Sequence, residues 1–297
     1  MNDSTKIKYL PKRALFALFI GAAAIALSPI FVRLSELGPS ATAFYRIFFA
    51  LPVLWLWMYR TDSDTIEYRQ PSSLKDYFRL SLAGLFFAGD LSFWHWSINL
   101  TSIANSTLLA NAAPIFVTLG AFFLFGEKFS KLFIFGLLLA LSGILLLMSN
   151  SLDLGQHGVI GDLLGVVTAV FYAAYLLTVG RLRAQFSTAT VMTWSGTACC
   201  IILIPVTILS GESFIAGSLA GWIILLSLAL FSHAGGQSLI TYSLAHLPAA
   251  FGSVGLLLQP VLAAFIAWFV FSEILGGLQL FGGSIVLVGI YLARRGS

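Results

Sequence analysis

Asp90 is the side chain whose position carries the most pointed chemistry. It interrupts the apolar stretch "LSLAGLFFAGDLSFWHW" about nine residues, or roughly 13 Å, from the end of that run. A carboxylate at such depth costs at least about 2.5 kcal/mol on insertion scales, so it requires a cavity or a partner. Its expected work is to bind a substrate ammonium or to carry a proton; a structural hydrogen bond to a neighbouring helix is the competing reading. His233, in "LFSHAGGQSL", interrupts a second apolar run, and imidazole titrates near neutral pH. The two would form a proton-sensitive pair, the plainer alternative being a histidine that donates to a backbone carbonyl. Gly235 and Gly236 can thin or unwind the helix there and expose carbonyls to a cavity, whose lining Gln237 would share.

The remaining candidates are aromatic, amide or cationic. Trp94 lies four positions after Asp90 and so shares its helical face, where stacking or cation–π contact with a substrate is available. His95 and Trp96 adjoin it, with Trp96 read first as a membrane-interface residue. Tyr172, Tyr175 and Trp194 would add aromatic lining, against the simpler reading of core packing. Arg46 is the one cation inside an apolar run; it either snorkels outward, pairs with a carboxylate or binds a substrate carboxylate. Asn105, Ser106 and Asn111 in one run, and Ser253 and Gln259 in another, give two further helices polar faces. No grouping of residues suggests a metal or a cofactor.

These residues sit on a repeated scaffold. The stretch "SIANSTLLANAAPIFVTLGAFFLFGE" from Ser102 to Glu127 recurs as "PAAFGSVGLLLQPVLAAFIAWFVFSE" from Pro248 to Glu273, at an offset of 146 residues. Pro114 then meets Pro260, Phe123 meets Phe269 and Glu127 meets Glu273, and the register continues with Gly136 on Gly282 and Gly143 on Gly289. At the same offset Gly89 maps to Gly235 and Asp90 to Gly236. Shared prolines, glutamates and glycines are rarer letters than apolar composition supplies, so the chain reads as two copies of one unit, 1–150 and 151–297. Pro114 and Pro260 each remove a backbone donor, which predicts a kink in both helices. Glu127 and Glu273 are expected near the N-terminus of the following helix, where a carboxylate suits the dipole.

With 59% hydrophobic and 9% charged residues and a mean hydropathy of +0.94, the chain cannot cover a soluble globule. Apolar runs at 14–34 and roughly 40–59, 77–98, 102–125, 130–149, 159–180, 188–210, 219–243, 249–271 and 276–293 predict an all-α integral membrane fold of ten transmembrane helices. Of the 16 Lys and Arg, all but Arg33 and Arg46 fall on one side if the N-terminus is cytoplasmic. That places both termini in the cytoplasm of a multi-pass cytoplasmic (inner) membrane protein. Five spans per copy then invert the second copy, with the boundary in "NSLDLGQH" from Asn150 to His157. The segment Arg60 to Asp76, rich in acidic residues, is expected to be solvated.

The net charge of +4 resides at helix ends and implies no nucleic-acid partner. The adjacent Cys199 and Cys200 offer no disulfide framework. No phosphate loop and no HExxH motif occurs, so ATP hydrolysis and intramembrane metalloprotease chemistry are not expected and the chain reads as no enzyme. Sparse polar residues argue against a channel, which needs a continuous wet path.

The inverted repeat, together with "GPSATAFYRIFFALP", "SIANSTLLANAAPIFVTLGAFFLFGEKFS" and "LLLQPVLAAFIAWFVFSE", resembles the drug/metabolite transporter superfamily, in particular its EamA-type carriers. The resemblance implies a secondary carrier working by alternating access in the lipid bilayer, on a small-molecule substrate, with exporters of amino acids, aromatic ones among them, and uptake carriers for other small metabolites among its relatives. It also implies a structural or gating role for Arg46 in the "FYR" context. Export, proton-coupled uptake of another metabolite and, from a different class, a channel-like pore remain the alternatives; a monomer suffices for the first two.

Overall fold

The computed structural model describes residues 11–62, 68–101, 103–149, 158–271 and 276–297. Glu273 and the expected boundary 150–157 lie outside the described residues. The described residues form helices and no strands, in the order α1 (Lys12–Ala26), α2 (Ser28–Leu34), α3 (Pro39–Phe48), α4 (Leu51–Asp62), α5 (Leu74–Leu100), α6 (Ile103–Ala110), α7 (Ala113–Phe125), α8 (Lys131–Met148), α9 (Val159–Leu182), α10 (Thr188–Leu209) and α11 (Leu219–Ser227). A π-helical stretch, Leu228–Gln237, leads into α12 (Ser238–Ser243), followed by α13 (Ala249–Gly255), α14 (Leu258–Phe271) and α15 (Gly277–Gly296).

Several of these are two pieces of one rod, and each break has the same cause. The helix pauses for one or two residues and resumes with a proline in its first turn: Pro29 in α2, Pro52 in α4, Pro114 in α7 and Pro260 in α14. A proline there forfeits an N–H that has no intrahelical acceptor anyway. At Pro114 and Pro260 the expected kinks are full interruptions, bridged by i→i+3 bonds from Ala112 N to Leu109 O and from Leu257 N to Val254 O. Joined across these breaks, nine helical units among the described residues are long and apolar enough to cross a membrane. The helix α5 is 27 residues and thus about 40 Å long, but less apolar than these nine.

Two antiparallel pairings organise the bundle. In the first, α8 crosses α15 at glycines: a Cβ on Gly136 would lie 2.4 Å from Ala293 N, and one on Gly289 would lie 2.5 Å from Ala140 N. Gly143 and Gly282 repeat the arrangement one heptad along, each within 2.8 Å of the other's carbonyl oxygen. Small residues let the backbones touch, which is how helices associate when no hydrophobic drive separates protein from lipid. In the second, α5 runs against α9, with Ser97 Oγ donating to Gly161 O at 2.7 Å and Phe87 stacked on Tyr175 with centroids 4.8 Å apart. Equivalent contacts, at the 146-residue offset, join α1 to the π-helical stretch: a Cβ on Gly21 would meet Gly236 O at 2.8 Å.

Loops tie the bundle at both ends. On one face, Arg69 grips Asp76 with both guanidinium nitrogens (2.7 and 2.6 Å) and Gln185 Oε1 at 2.8 Å, and its guanidinium covers the Phe186 ring. This fork, with the backbone N–H groups of Ser72 and Ser73, holds the Asp76 carboxyl well below the usual carboxylate range. The expectation of a solvated segment therefore fails at its end, because Asp76 is 4% exposed and caps α5. On the opposite face Glu212 accepts from Ala41 N at 2.8 Å, Tyr45 donates to Phe214 O at 2.7 Å and Glu36 accepts from Ser218 N at 3.0 Å. Hydrogen bonding to Ser218 lowers the Glu36 pKa. The N-terminus of α8 is capped by Ser130, whose Oγ accepts from Phe133 N at 3.0 Å; Glu127 lies in the turn just before it.

Candidate functional site

At mid-depth in the bundle, polar side chains from both copies of the repeat converge. Asp90, the seventeenth residue of α5, and Arg46 of α3 act on each other electrostatically, and Tyr172 and Tyr175 of α9 lie within the same field. From the second half, Gln237 Nε2 donates to the Tyr175 hydroxyl at 3.2 Å, and the Gln259 side chain reaches Tyr172. A continuous ring stack backs the group: His233 on Phe87 (centroids 5.6 Å, planes 20° apart), Phe87 on Tyr175, and Tyr175 on Tyr172 at 6.2 Å. Phe87 and His233 are 146 residues apart, so each occupies the position in its copy that the other occupies in its own, and they meet face to face.

The expected Asp90–His233 pair is not made. Among the described residues neither imidazole nitrogen of His233 has a hydrogen-bond partner, and the charge that acts on Asp90 is that of Arg46. His233 lies in the π-helical stretch Leu228–Gln237 and stacks on Phe87, while Gln237 faces Tyr175. Such turns are uncommon and concentrate at functional sites.

The group is rich in unpaired polar atoms. Arg46 Nε, both nitrogens of His95 and of His233, and Gln259 Nε2 are buried without a partner among the described residues. A neutral imidazole offers one donor and one acceptor, and each unmet polar group costs about 1–3 kcal/mol, so the array wants a ligand or water that brings both acceptors and donors. His95 is 2% exposed, His233, Gln237 and Tyr175 are 1% exposed, while Asp90, Arg46, Tyr172 and Gln259 are half-buried.

Other expected residues lie elsewhere. Trp94 is half-buried, with its ring 5.1 Å from that of His95. Trp96, 40% exposed against Phe93, fits a membrane-facing residue. Trp194 packs with Trp55 and Tyr77. Asn105 Nδ2 reaches Asp162 Oδ1 at 3.5 Å at the far end of α9, and Asn111 Nδ2 donates to Thr107 O at 2.8 Å beside the α6–α7 break. Ser253 Oγ donates to Ala250 O and bends α13 locally.

A cleft of about 680 Å³ opens between α5, α7 and α9 on the face that holds Arg69 and Asp76. Its lining does not include Asp90, but Phe86 on its wall is one helical turn before Asp90 on the same face of α5. Arg79, Arg181 and Gln185 stand at its mouth, with the Arg181 guanidinium 3.6 Å from the Phe125 ring centroid. None of these three was expected from sequence, where Arg79 and Arg181 count only toward the charge balance of the helix ends.

A model of the EamA-like transporter family matches residues 12–149 and, a second time, 159–295. The chain belongs to this family. Among EamA-like relatives, an uncharacterized transporter of Archaeoglobus fulgidus is 25% identical over 272 residues, 89% of this chain and 91% of its own length. The pseudopaline exporter CntI of Pseudomonas aeruginosa is 23% identical over 216 residues, 73% of this chain and 74% of its own. A solved crystal structure, described only as that of a protein, aligns with a TM-score of 0.78 over 94% of both chains at 18% identity, a likeness of fold alone. This EamA-like chain is thus a multi-pass membrane protein of a transporter family.

Proposed function

We propose that the chain is a secondary carrier that exports a small metabolite, an amino acid or amine, across the cytoplasmic membrane by alternating access. The observation that carries the reading is the donor array around Asp90. One acid shares the interior with unpaired buried polar atoms on α3, α5, the π-helical stretch and α14, an arrangement suited to a solute that brings an ammonium to Asp90 and acceptors to Arg46 and Gln259. The stacked rings of Tyr172, Tyr175 and Phe87 suit an apolar or aromatic body. Proton coupling would use Asp90 through Arg46.

The architecture behind this reading is ten spans in two inverted copies, 1–150 and 151–297. The double family match and the antiparallel α8–α15 crossing support it. There Gly136 meets Gly289 and Gly143 meets Gly282, a reciprocal exchange of equivalent positions about a two-fold axis. Basic residues of the described loops gather on the face of Arg69, Lys128, Lys131, Arg183 and Arg295, with Arg33 opposite, which supports a cytoplasmic assignment for that face. Export rather than uptake is favoured by the direction in the name of the Pseudomonas relative. The test is flux in proteoliposomes loaded with amino acids and their decarboxylated amines. Asp90→Asn and His233→Ala should abolish counterflow while the purified proteins stay monodisperse; wild-type flux in both variants would remove the site.

A further inference from the structure

The cleft between α5, α7 and α9 has a counterpart that is shut. At the 146-residue offset its wall residues Phe86 and Val170 correspond to Ser232 and Ala24. Where the first two line an open space, Ser232 Oγ donates to Ala24 O at 3.1 Å. Beside that bond, a Cβ on Gly236 would lie 3.2 Å from Gly21 O, so the backbones of α1 and the π-helical stretch are in contact. The cleft opens on the face that holds Arg69 and Asp76, while small side chains close the equivalent position of the second copy. The cleft has a charge. Arg79 and Arg181 stand at its mouth, and among the described residues no carboxylate lines it. Its walls are otherwise almost wholly apolar, and low-dielectric walls concentrate the field of such charges inward.

We propose that this cleft is the inner vestibule of the carrier in an inward-open state, and that Arg79 and Arg181 make it selective for solutes bearing a carboxylate or similar anionic group. The proposal rests on the carrier reading above and narrows it: between an amino acid and the corresponding amine, the vestibule admits the amino acid. Phe86 passes the solute to Asp90 one turn deeper, so the carboxylate is met first by the two guanidinium groups and the ammonium last by the acid.

The vestibule can be probed without knowing the substrate. Thr178, on its wall, is replaced by cysteine, and the rates of modification by anionic 2-sulfonatoethyl and cationic 2-(trimethylammonio)ethyl methanethiosulfonate are compared with the same ratio for 2-mercaptoethanol. The native Cys199 and Cys200 are buried, and wild-type protein serves as the blank. In Thr178→Cys the anionic reagent should be favoured roughly tenfold over the free-thiol ratio. Adding Arg79→Gln and Arg181→Gln should return the ratio to that of the free thiol, while Arg79→Lys with Arg181→Lys should keep it. Val32→Cys, at the equivalent position in the closed counterpart, should react with neither. An unreactive Thr178→Cys overturns the vestibule, a free-thiol ratio in every variant overturns its selectivity, and equal reactivity at Val32 overturns the inward-open state. Failure of transport in liposomes would leave these ratios unchanged, so the two readings fall separately.

Discussion

Alanine at Gly136 should loosen the molecule at its tightest seam. The added Cβ would sit 2.4 Å from Ala293 N, 2.7 Å from Gly289 O and 2.9 Å from Ala293 Cα. All three are backbone atoms, so no side chain can swing aside, and the axes of α8 and α15 must part by about 1 Å to restore ordinary contact. A gap of that size forfeits about a quarter to a half of the dispersion energy between the atoms lining it. Overpacking of this kind costs about 1–3 kcal/mol, which on the scaling of mid-sized domains lowers the melting temperature by roughly 2–10 °C. Gly289→Ala, 2.5 Å from Ala140 N, should cost the same. Because both open one seam, the double variant should lose clearly less than the sum of the singles. Gly277→Ala is the control: its Cβ meets nothing within 4 Å in the first turn of α15, so stability should hold or rise. The assay is thermal unfolding of the purified proteins in one detergent, followed by intrinsic fluorescence. If Gly136→Ala and Gly289→Ala melt with Gly277→Ala, close backbone contact is not what holds α8 to α15.

Tyr175→Phe removes the oxygen that Gln237 Nε2 donates to, leaving a 1%-exposed amide unpaired. It should cost about 1–3 kcal/mol, and Gln237→Leu added to it should recover part of the loss in the same melting assay. Arg69→Gln removes the fork that holds Asp76. The Asp76 pKa is depressed in the folded state, so its contribution is complete above the ordinary carboxylate range and is lost as pH falls through and below it. Wild-type melting temperature should therefore fall steeply between about pH 4 and pH 2; Arg69→Gln should be less stable at pH 7 and flatter across that window. An unchanged acid slope in the variant would assign the pH dependence to other groups. Glu36, lowered by its bonds to Ser218, titrates in the same sense on the opposite face, and Glu36→Gln should weaken the α2–α3 tie to α11 without altering the Arg69 effect.

What the sequence makes legible here is what depends on rare letters at fixed spacing. Apolar run length sets the spans, and Pro114 and Pro260 mark breaks because a missing N–H acts locally, whatever the neighbours. Asp90 and Arg46 stand out because charge is expensive in hydrocarbon. The partnership between charges is another matter, since it depends on rotation about helix axes. His233 and Asp90 read as a pair, but which side chains meet depends on how two helices are turned against each other, and nothing in "LALFSHAGGQ" marks its π-helical turn. Arg79, Arg181 and Gln185 were invisible for a similar reason: as letters they are ordinary helix-end residues, and only packing of α5, α7 and α9 gathers them at one mouth. Asp76 looked solvated because its partner Arg69 is local while its burial against the residues before α10 is not.

The ties at the two faces bear on how such a bundle would move. The rod formed by α3 and α4 runs antiparallel to α10, joined near one end by Thr207 Oγ1 to Ser40 O and near the other by Thr193 Oγ1 to Leu54 O. Beyond the first of those bonds, Glu212 after α10 accepts from Ala41 N. A pair fastened at both ends resists both hinging and sliding, because either breaks charge-assisted bonds at one face at least. The α8–α15 pair is fixed differently, by backbone contact along its length. The other interrupted rods are α6 with α7 and α13 with α14, in which Ala112 N and Leu257 N turn from the α-helical to the tighter i→i+3 bond. Bending is cheapest at such a break, where Pro114 or Pro260 already lacks an N–H to lose. The proposed alternation is thus assigned by mechanics to those two breaks, with the Phe87–His233 stack between them as the contact both halves share.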